Sequence, residues 1–233
     1  MNKELRAEIV CKNIWKSYGE GATKVEALRG VDITINKGEL RLLMGPSGSG
    51  KTTLISIMTG ILMQDSGECL MQGVDVNHLP DQERTRYRGQ HIGFVFQLFN
   101  LIPSLTIDEN ISVPLLLNGV GRKEANERAG ELLKEFGMGD KIGVYPRSLS
   151  GGQQQRVAIA RAMAHGPELM VCDEPTSFLD HENGMKTMEL LKKMVVEKGV
   201  TLVVVTHDPR ITHFADKIDY VEDGKIVDKL GIN

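Results

Sequence analysis

No stretch of this chain holds the roughly 18 consecutive apolar residues that a membrane-spanning helix requires, so no segment is expected to cross a bilayer. The opening residues, MNKELRAEIV, contain no apolar core of the kind a signal peptide needs. Cysteine is scarce. Cys11, Cys69 and Cys172 lie far apart in sequence, are odd in number and show no metal-ligand spacing. They point to a reduced, cytoplasmic compartment and away from a disulfide framework. A basic excess is lacking too: 28 Lys and Arg stand against 31 Asp and Glu, a net charge of −3, so no nucleic-acid partner is expected. There is no internal repeat and no low-complexity segment. Each of two glycine-rich loops occurs once only, GPSGSGKTT at 45–53 and LSGGQ at 149–153.

What remains is ordinary globular chemistry, 41% apolar and 25% charged residues over 233 positions. That length suits one sizeable α/β domain with an inserted subdomain. Three short apolar runs each end in polar residues. Residues 39–44 (ELRLLM) enter the first glycine loop, 169–172 (LMVC) enter Asp173 and Glu174, and 201–205 (TLVVV) enter Thr206 and His207. Such runs read as buried parallel strands. Helical patterns lie between them, at 52–62 and at 185–198, the latter stopped by Gly199. Alternating strands and helices predict a doubly wound sheet whose ligand site lies beyond the carboxyl ends of the strands, where all three polar clusters fall. Segments 7–15 and 27–35 read instead as antiparallel strands. Residues 98–164 contain no buried-strand pattern. They offer a helix at 123–136 stopped by Gly137, a turn-rich stretch through Pro146, and a helix after LSGGQ. The division expected is an α/β core with a β subdomain at 1–97 and 165–233, and a helical insert at 98–164.

The first glycine loop follows a predicted strand and opens a predicted helix, which is the context a phosphate-binding loop requires. Gly45, Pro46, Ser47, Gly48, Ser49 and Gly50 would turn backbone N–H groups toward phosphate oxygens, with the helix dipole adding to the attraction. Lys51 would reach the β and γ phosphates, Thr52 would bind Mg²⁺ through its hydroxyl, and Thr53 would complete the cradle. The plain alternative is a glycine-rich turn that binds nothing. Asp173 and Glu174 end a buried strand, which is costly unless they meet a cation or a water. The first suits Mg²⁺ and the second the polarisation of an attacking water; an ordinary acidic turn is the alternative. His207 at the next strand end is a candidate γ-phosphate contact or a merely satisfied polar residue. Gln97 closes the aromatic strand 92–96, and Tyr18 in KSYGEG offers a ring for adenine, a contact worth about 1–3 kcal/mol for stacked bases. Ser150 can cap the helix after it, with Gly151 and Gly152 leaving its first N–H groups uncovered.

GPSGSGKTT, Gln97, LSGGQQQR, LMVCDEP, SFLD and His207 stand in the order and spacing of the nucleotide-binding subunits of ABC transporters, which the chain resembles from Tyr18 to EDGKIVD. The resemblance implies an ABC-type P-loop NTPase, with a RecA-like parallel core, an N-terminal antiparallel β subdomain and an inserted helical subdomain. It implies ATP and Mg²⁺ as cofactors. Tyr18 would stack on adenine. Gln97 and Asp173 would join Thr52 around Mg²⁺, Glu174 would be the catalytic base, and His207 would hold the γ-phosphate and the attacking water. Ser150, Gly151, Gly152 and Gln153 would close over ATP held by a second copy of the protein, and 177–180, ending in Asp180, would link the two sites. One copy of each glycine loop per chain then makes two half-sites, completed only by pairing. The chain departs from the pattern at Phe178, where a small residue is commoner; this bears on packing at the dimer midline.

FQLFNLIPSLTIDENISVPL and THDPRITHFADKI further resemble the subunits that energise macrolide, lipoprotein and glycolipid exporters. That resemblance implies a transmembrane permease as partner and a peripheral position on the cytoplasmic face of the cell membrane. Residues 99–118, with apolar groups in a turn-rich setting after Gln97, are the candidate surface facing the permease; the alternative is that they simply cover the helical subdomain. A stand-alone ABC ATPase serving cofactor or complex assembly is the alternative.

Overall fold

The computed structural model of the chain describes residues 7–227. In chain order the elements are β1 (Ala7–Tyr18), β2 (Val25–Asn36), β3 (Leu40–Met44), α1 (Lys51–Met58), β4 (Ser66–Met71), α2 (Asp81–His91) and β5 (Ile92–Val95). There follow α3 (Ile107–Leu117), α4 (Arg122–Glu135), α5 (Gly151–Met163), β6 (Leu169–Asp173), α6 (His181–Lys198), β7 (Thr201–Thr206), β8 (Lys217–Glu222) and β9 (Lys225–Val227).

The six-stranded sheet has the order β5-β6-β7-β3-β8-β9, parallel except for β9, which turns back on β8. Alternation along its strands sorts their side chains into two cores. Leu43, Val171, Val203 and Val205 face α1 and the three-stranded antiparallel sheet, ordered β2-β1-β4. Leu42, Met170, Cys172, Leu202 and Val204 face the helices α3 to α6. Both faces are covered, and this is why β3, β6 and β7 are nearly continuous apolar runs, broken in β3 only by buried Arg41. Strands 39–44, 169–172 and 201–205 thus lie in one sheet with their carboxyl ends on one edge, as the sequence pattern predicts.

Several boundaries differ from the sequence reading, each for a local reason. Helix α1 stops at Met58 rather than reaching 62, because the Thr59 hydroxyl donates back to the Ile55 carbonyl and Gly60 turns left-handed at φ 64°. Helix α6 begins four residues earlier than the periodicity suggests, since the Asp180 carboxylate accepts from the Asn183 N–H at 2.9 Å and caps it there. Strand β4 and helix α2 carry too little apolar periodicity to be read. The largest correction falls in 99–118, which is not merely turn-rich: α3 occupies Ile107–Leu117. Its start is a capping box, with the Thr106 hydroxyl accepting from the Glu109 N–H and the Glu109 carboxylate from the Thr106 N–H. Pro114 near its end hides the pattern. Fully buried Asn110 donates to the carbonyls of Ile102, Leu105 and Thr106 and accepts from the Ile102 N–H, holding the irregular approach to the helix.

Two cysteines distant in sequence meet in space. Cys11 on β1 and Cys69 on β4 are direct register partners with sulfurs 2.7 Å apart, both as free thiols.

Arg41 on β3 ties the two sheets together. Only 1% exposed, it donates to Glu39, to Asp219 on β8 and to the Thr34 carbonyl on β2 at 2.6–2.7 Å. Arg41→Ala leaves two largely buried carboxylates without their cation, and is expected to cost about 3–5 kcal/mol of stability. Urea unfolding of variant and parent checks this.

Candidate functional site

Strands β3, β5, β6 and β7 each lead at their carboxyl ends into polar groups that line one cleft of about 560 Å³. Strand β3 runs into Gly45, whose Cβ, if it had one, would overlap the Val221 carbonyl. Gly50 holds φ 102° with its Cα against the Ala27 carbonyl. Only glycine meets both conditions. No side chain caps α1 at Gly50, so the first-turn N–H groups of this helix are left for a ligand. Lys51 is buried, and its Nζ donates to the carbonyls of Gly45 (2.9 Å) and Pro46 (2.7 Å), with Ser49 Oγ at 3.4 Å. The loop thereby curls over its own lysine.

Strand β6 delivers Asp173, whose Oδ2 accepts from the Thr52 hydroxyl at 3.4 Å. Glu174 follows with φ 49°, a left-handed conformation that costs a non-glycine residue energy and that clusters at functional sites. Its N–H donates to the Val205 carbonyl on β7. Strand β7 then delivers His207, whose Nδ1 lies 2.8 Å from Glu174 Oε1. A carboxylate acceptor fixes the proton on Nδ1 and leaves Nε2 for another partner. Pro46, Ser47, Gly48, Gly50, Lys51, Thr52, Thr53, Gln97, Asp173, Glu174 and His207 all line this cleft, joined by Ala27 and Val205. Tyr18, 46% exposed at the end of β1, sits on the rim and shares a hydrogen bond of 3.4 Å with the Thr53 hydroxyl.

The electrostatics are strained. Burial raises the Asp173 carboxyl above its ordinary value and adjacent Glu174 pushes the same way, against Thr52 and Lys51. Burial lowers the Lys51 ammonium, against the pull of Glu174 and Asp173. The acceptor set here is oxygen, which suits a hard cation. Among the described residues no cluster of three His, Cys, Asp or Glu could hold a metal alone. A Mg²⁺ that keeps its waters and shares phosphate oxygens needs only one or two carboxylates, so Thr52, Gln97 and Asp173 fit it.

Ser150, Gly151, Gly152, Gln153 and Asp180 are absent from the lining of this cleft. Ser150 caps α5 reciprocally, its hydroxyl accepting from the Gln153 N–H while the Gln153 amide oxygen accepts from the Ser150 N–H. Ser150 is exposed to solvent, and Gly152 packs against Asn183. Asp180 caps α6. The sequence reading missed Ala27 and Val205, which carry no polar signal, and the pairing of His207 with Glu174, which only the adjacency of β6 and β7 creates.

A parallel sheet whose edge bears a glycine loop, a lysine-led helix and a carboxylate pair is that of a P-loop NTPase. The ABC transporter family profile matches residues 28–177. An uncharacterized ABC transporter ATP-binding protein of Methanocaldococcus jannaschii is 43% identical over 94% of this chain and 98% of its own length. The macrolide export ATP-binding/permease protein MacB of Neisseria gonorrhoeae is 39% identical over 97% of this chain, which spans 35% of that larger protein. A dimeric structure of a post-hydrolysis state of an M. jannaschii ATP-binding cassette, bound to ADP and Pi, superposes with a TM-score of 0.87 at 42% identity, over 94% of this chain and 97% of that one. The chain therefore belongs to the ABC transporter family, as an ATP-binding and ATP-hydrolysing cassette.

The buried carboxylate yields a test. With its folded-state value raised, ionised Asp173 lowers stability; that loss is complete above the raised value and absent below the ordinary 3.8. Stability falls as pH rises through this window. Without nucleotide or metal, Asp173→Asn is expected to melt higher than the parent at neutral pH, and the gap to close toward pH 3.8. Thermal melts across a pH series check it, and a constant gap contradicts it.

Proposed function

We propose that this chain is the ATP-hydrolysing subunit of an ABC exporter. In this reading two copies pair head to tail, and ATP-driven closure of the pair moves a separate transmembrane permease at the cytoplasmic face of the membrane. The observation that carries the reading is a division within one chain. Lys51, Gln97, Asp173, Glu174 and His207 converge on one cleft, while the Ser150 end of α5 faces solvent outside it. A second glycine-led helix start that serves no group of its own chain is accounted for when it closes another chain's nucleotide. The dimeric, ADP- and Pi-bound cassette of the M. jannaschii relative supports such pairing.

In this reading each residue of the cleft takes the role the resemblance implies, and the geometry of the cleft supports it. Tyr18 stacks on the adenine, and residues 45–53 wrap the phosphates with backbone N–H groups. Lys51 exchanges its two carbonyl partners for phosphate oxygens, which relieves a cation held in a dry setting. Thr52, Gln97 and Asp173 hold Mg²⁺, which supplies charge neutralisation at the phosphates. Glu174 accepts the proton of the attacking water, and His207, anchored through Nδ1 on that carboxylate, presents Nε2 to the γ-phosphate. Ser150 to Gln153 of the second copy close the site, and Asp180 ends the loop that joins the two sites across the midline. Residues 98–164 act as a helical subdomain that carries this second surface, and 99–118 meet the permease. Likeness to MacB, named for macrolide export, supports a drug-like export substrate, while a lipid, lipoprotein or glycolipid substrate rests on the resemblance of FQLFNLIPSLTIDENISVPL and THDPRITHFADKI alone.

Glu174→Gln is expected to form a stable dimer with saturating ATP and Mg²⁺, and to lose about 10²–10⁴ in turnover. A monomer on light scattering under those conditions defeats the composite site. Ser150→Arg is expected to abolish turnover while the monomer still binds ATP; loss of binding as well contradicts the assignment of that loop to a second copy.

A further inference from the structure

We infer that Arg161 is a positioning residue which, together with the ring contact of Phe99 on Phe178, clamps the segment after Gln97 onto α5 and the 174–180 loop. A displacement of Gln97 in the nucleotide cleft is then passed to the outward-facing Ser150 end of α5. The inference rests on the division of roles proposed above and supplies its mechanical link.

Arg161 lies on α5 and points across to an irregular segment. Its Nη2 donates to the Phe99 carbonyl at 2.9 Å and its Nη1 to the Asn100 carbonyl at 2.6 Å. Burial lowers its pKa, and no carboxylate acts on it. A guanidinium taken from water without a counter-ion must fill its donors, and a charge-assisted pair of bonds in a rigid fork is strong and directional. Carbonyls in irregular segments ordinarily turn to water. Here two successive ones turn inward to a single side chain, and Asn100 adopts φ 48° in doing so. Gln97 stands two residues before Phe99, on the cleft.

The clamp has a second jaw. The Phe99 ring meets Phe178 edge-on, with centroids 6.5 Å apart at 72°. Phe178 lies within a run of tight turns that begins at Glu174, with Ser177 N–H on the Glu174 carbonyl and Leu179 N–H on that of Thr176. A Cβ on Gly151 would stand 3.5 Å from the Phe178 carbonyl and 3.8 Å from Phe99 Cζ. Three segments therefore meet at one point: the loop of Gln97, the loop of Glu174 and the start of α5. Phe178, 54% exposed where the family pattern has a small residue, supplies the ring that closes the contact.

The test measures three quantities in parent, Arg161→Gln, Arg161→Lys and Phe178→Ala: ATP binding to the monomer, the ATP concentration that half-dimerises each variant in the Glu174→Gln background, and hydrogen exchange at the amides of 151–156 with and without Mg²⁺ and a non-hydrolysable ATP analogue. The expected result for Arg161→Gln is near-parental monomer binding, a dimerisation midpoint raised roughly 5–150-fold, the range of ordinary site coupling, and loss of the nucleotide-dependent exchange change in α5. Lysine, a single point charge, is expected to restore part of the effect. Phe178→Ala is expected to shift the midpoint in the same direction by less. Parental dimerisation in a folded Arg161→Gln overturns the inference, as does a loss of monomer binding as large as the loss of dimerisation. If Arg161→Gln does not fold, parental midpoints in both Arg161→Lys and Phe178→Ala overturn it. Failure of Glu174→Gln alone to dimerise defeats the paired-site reading instead; exchange in the monomer then decides the clamp, and an exchange change retained in Arg161→Gln overturns it.

Discussion

Two carboxylates close a strand that is buried on both faces, and one ammonium opens the helix across from them. Asp173, Glu174 and Lys51 could each find better solvation elsewhere. The parallel sheet holds them together at its carboxyl edge, where burial raises one carboxyl and lowers the ammonium. Glu174 bears a left-handed backbone besides. A free protein in this condition is poorly satisfied, and in the proposed reading a triphosphate with its cation would satisfy all of it at once. Lys51 would gain anionic oxygens, Asp173 a positive neighbour, and the uncapped start of α1 acceptors for its N–H groups.

Helix starts in this molecule divide by the same logic. Thr106, Ser150 and Asp180 cap α3, α5 and α6 with their own side chains, and Gly50 leaves α1 open. Helices α2 and α4 also lack side-chain caps, and of these open starts it is that of α1 that faces the cleft. The α5 start satisfies itself within the monomer and offers only its outer surface, so its contribution depends on a surface brought from outside. Arg161, through the Phe99 and Asn100 carbonyls, and Phe99, through the ring of Phe178, join α5 to the segments that carry Gln97 and Glu174. Arg41 does comparable work at the other end of β3, binding the antiparallel sheet to the parallel one.

Much of this was legible in the residues. Nearly continuous apolar runs announced β3, β6 and β7, and glycine after a helical pattern marked the ends of α4 and α6 at Gly137 and Gly199. The loop of 45–53 and the pair Asp173–Glu174 could be assigned to one edge of one sheet before any coordinates. Helix α3 was hidden by Pro114, although T-x-x-E at Thr106 signals its start. Strand β4 was hidden because Ser66, Gly67 and Glu68 lie on an exposed strand end.

Sequence alone settled which chemistry the chain carries, because glycines, a lysine and acidic residues at fixed local spacing determine what a strand end can bind. Tertiary structure decided which groups touch. The bond from His207 to Glu174 arises from the adjacency of β6 and β7, the contact of Cys11 with Cys69 from the register of β1 on β4, and the fork of Arg161 on two carbonyls from the packing of α5. Each depends on residues 33 to 62 positions apart in the chain. Contacts at such separation follow from how whole elements bury their apolar faces, and no local pattern encodes them.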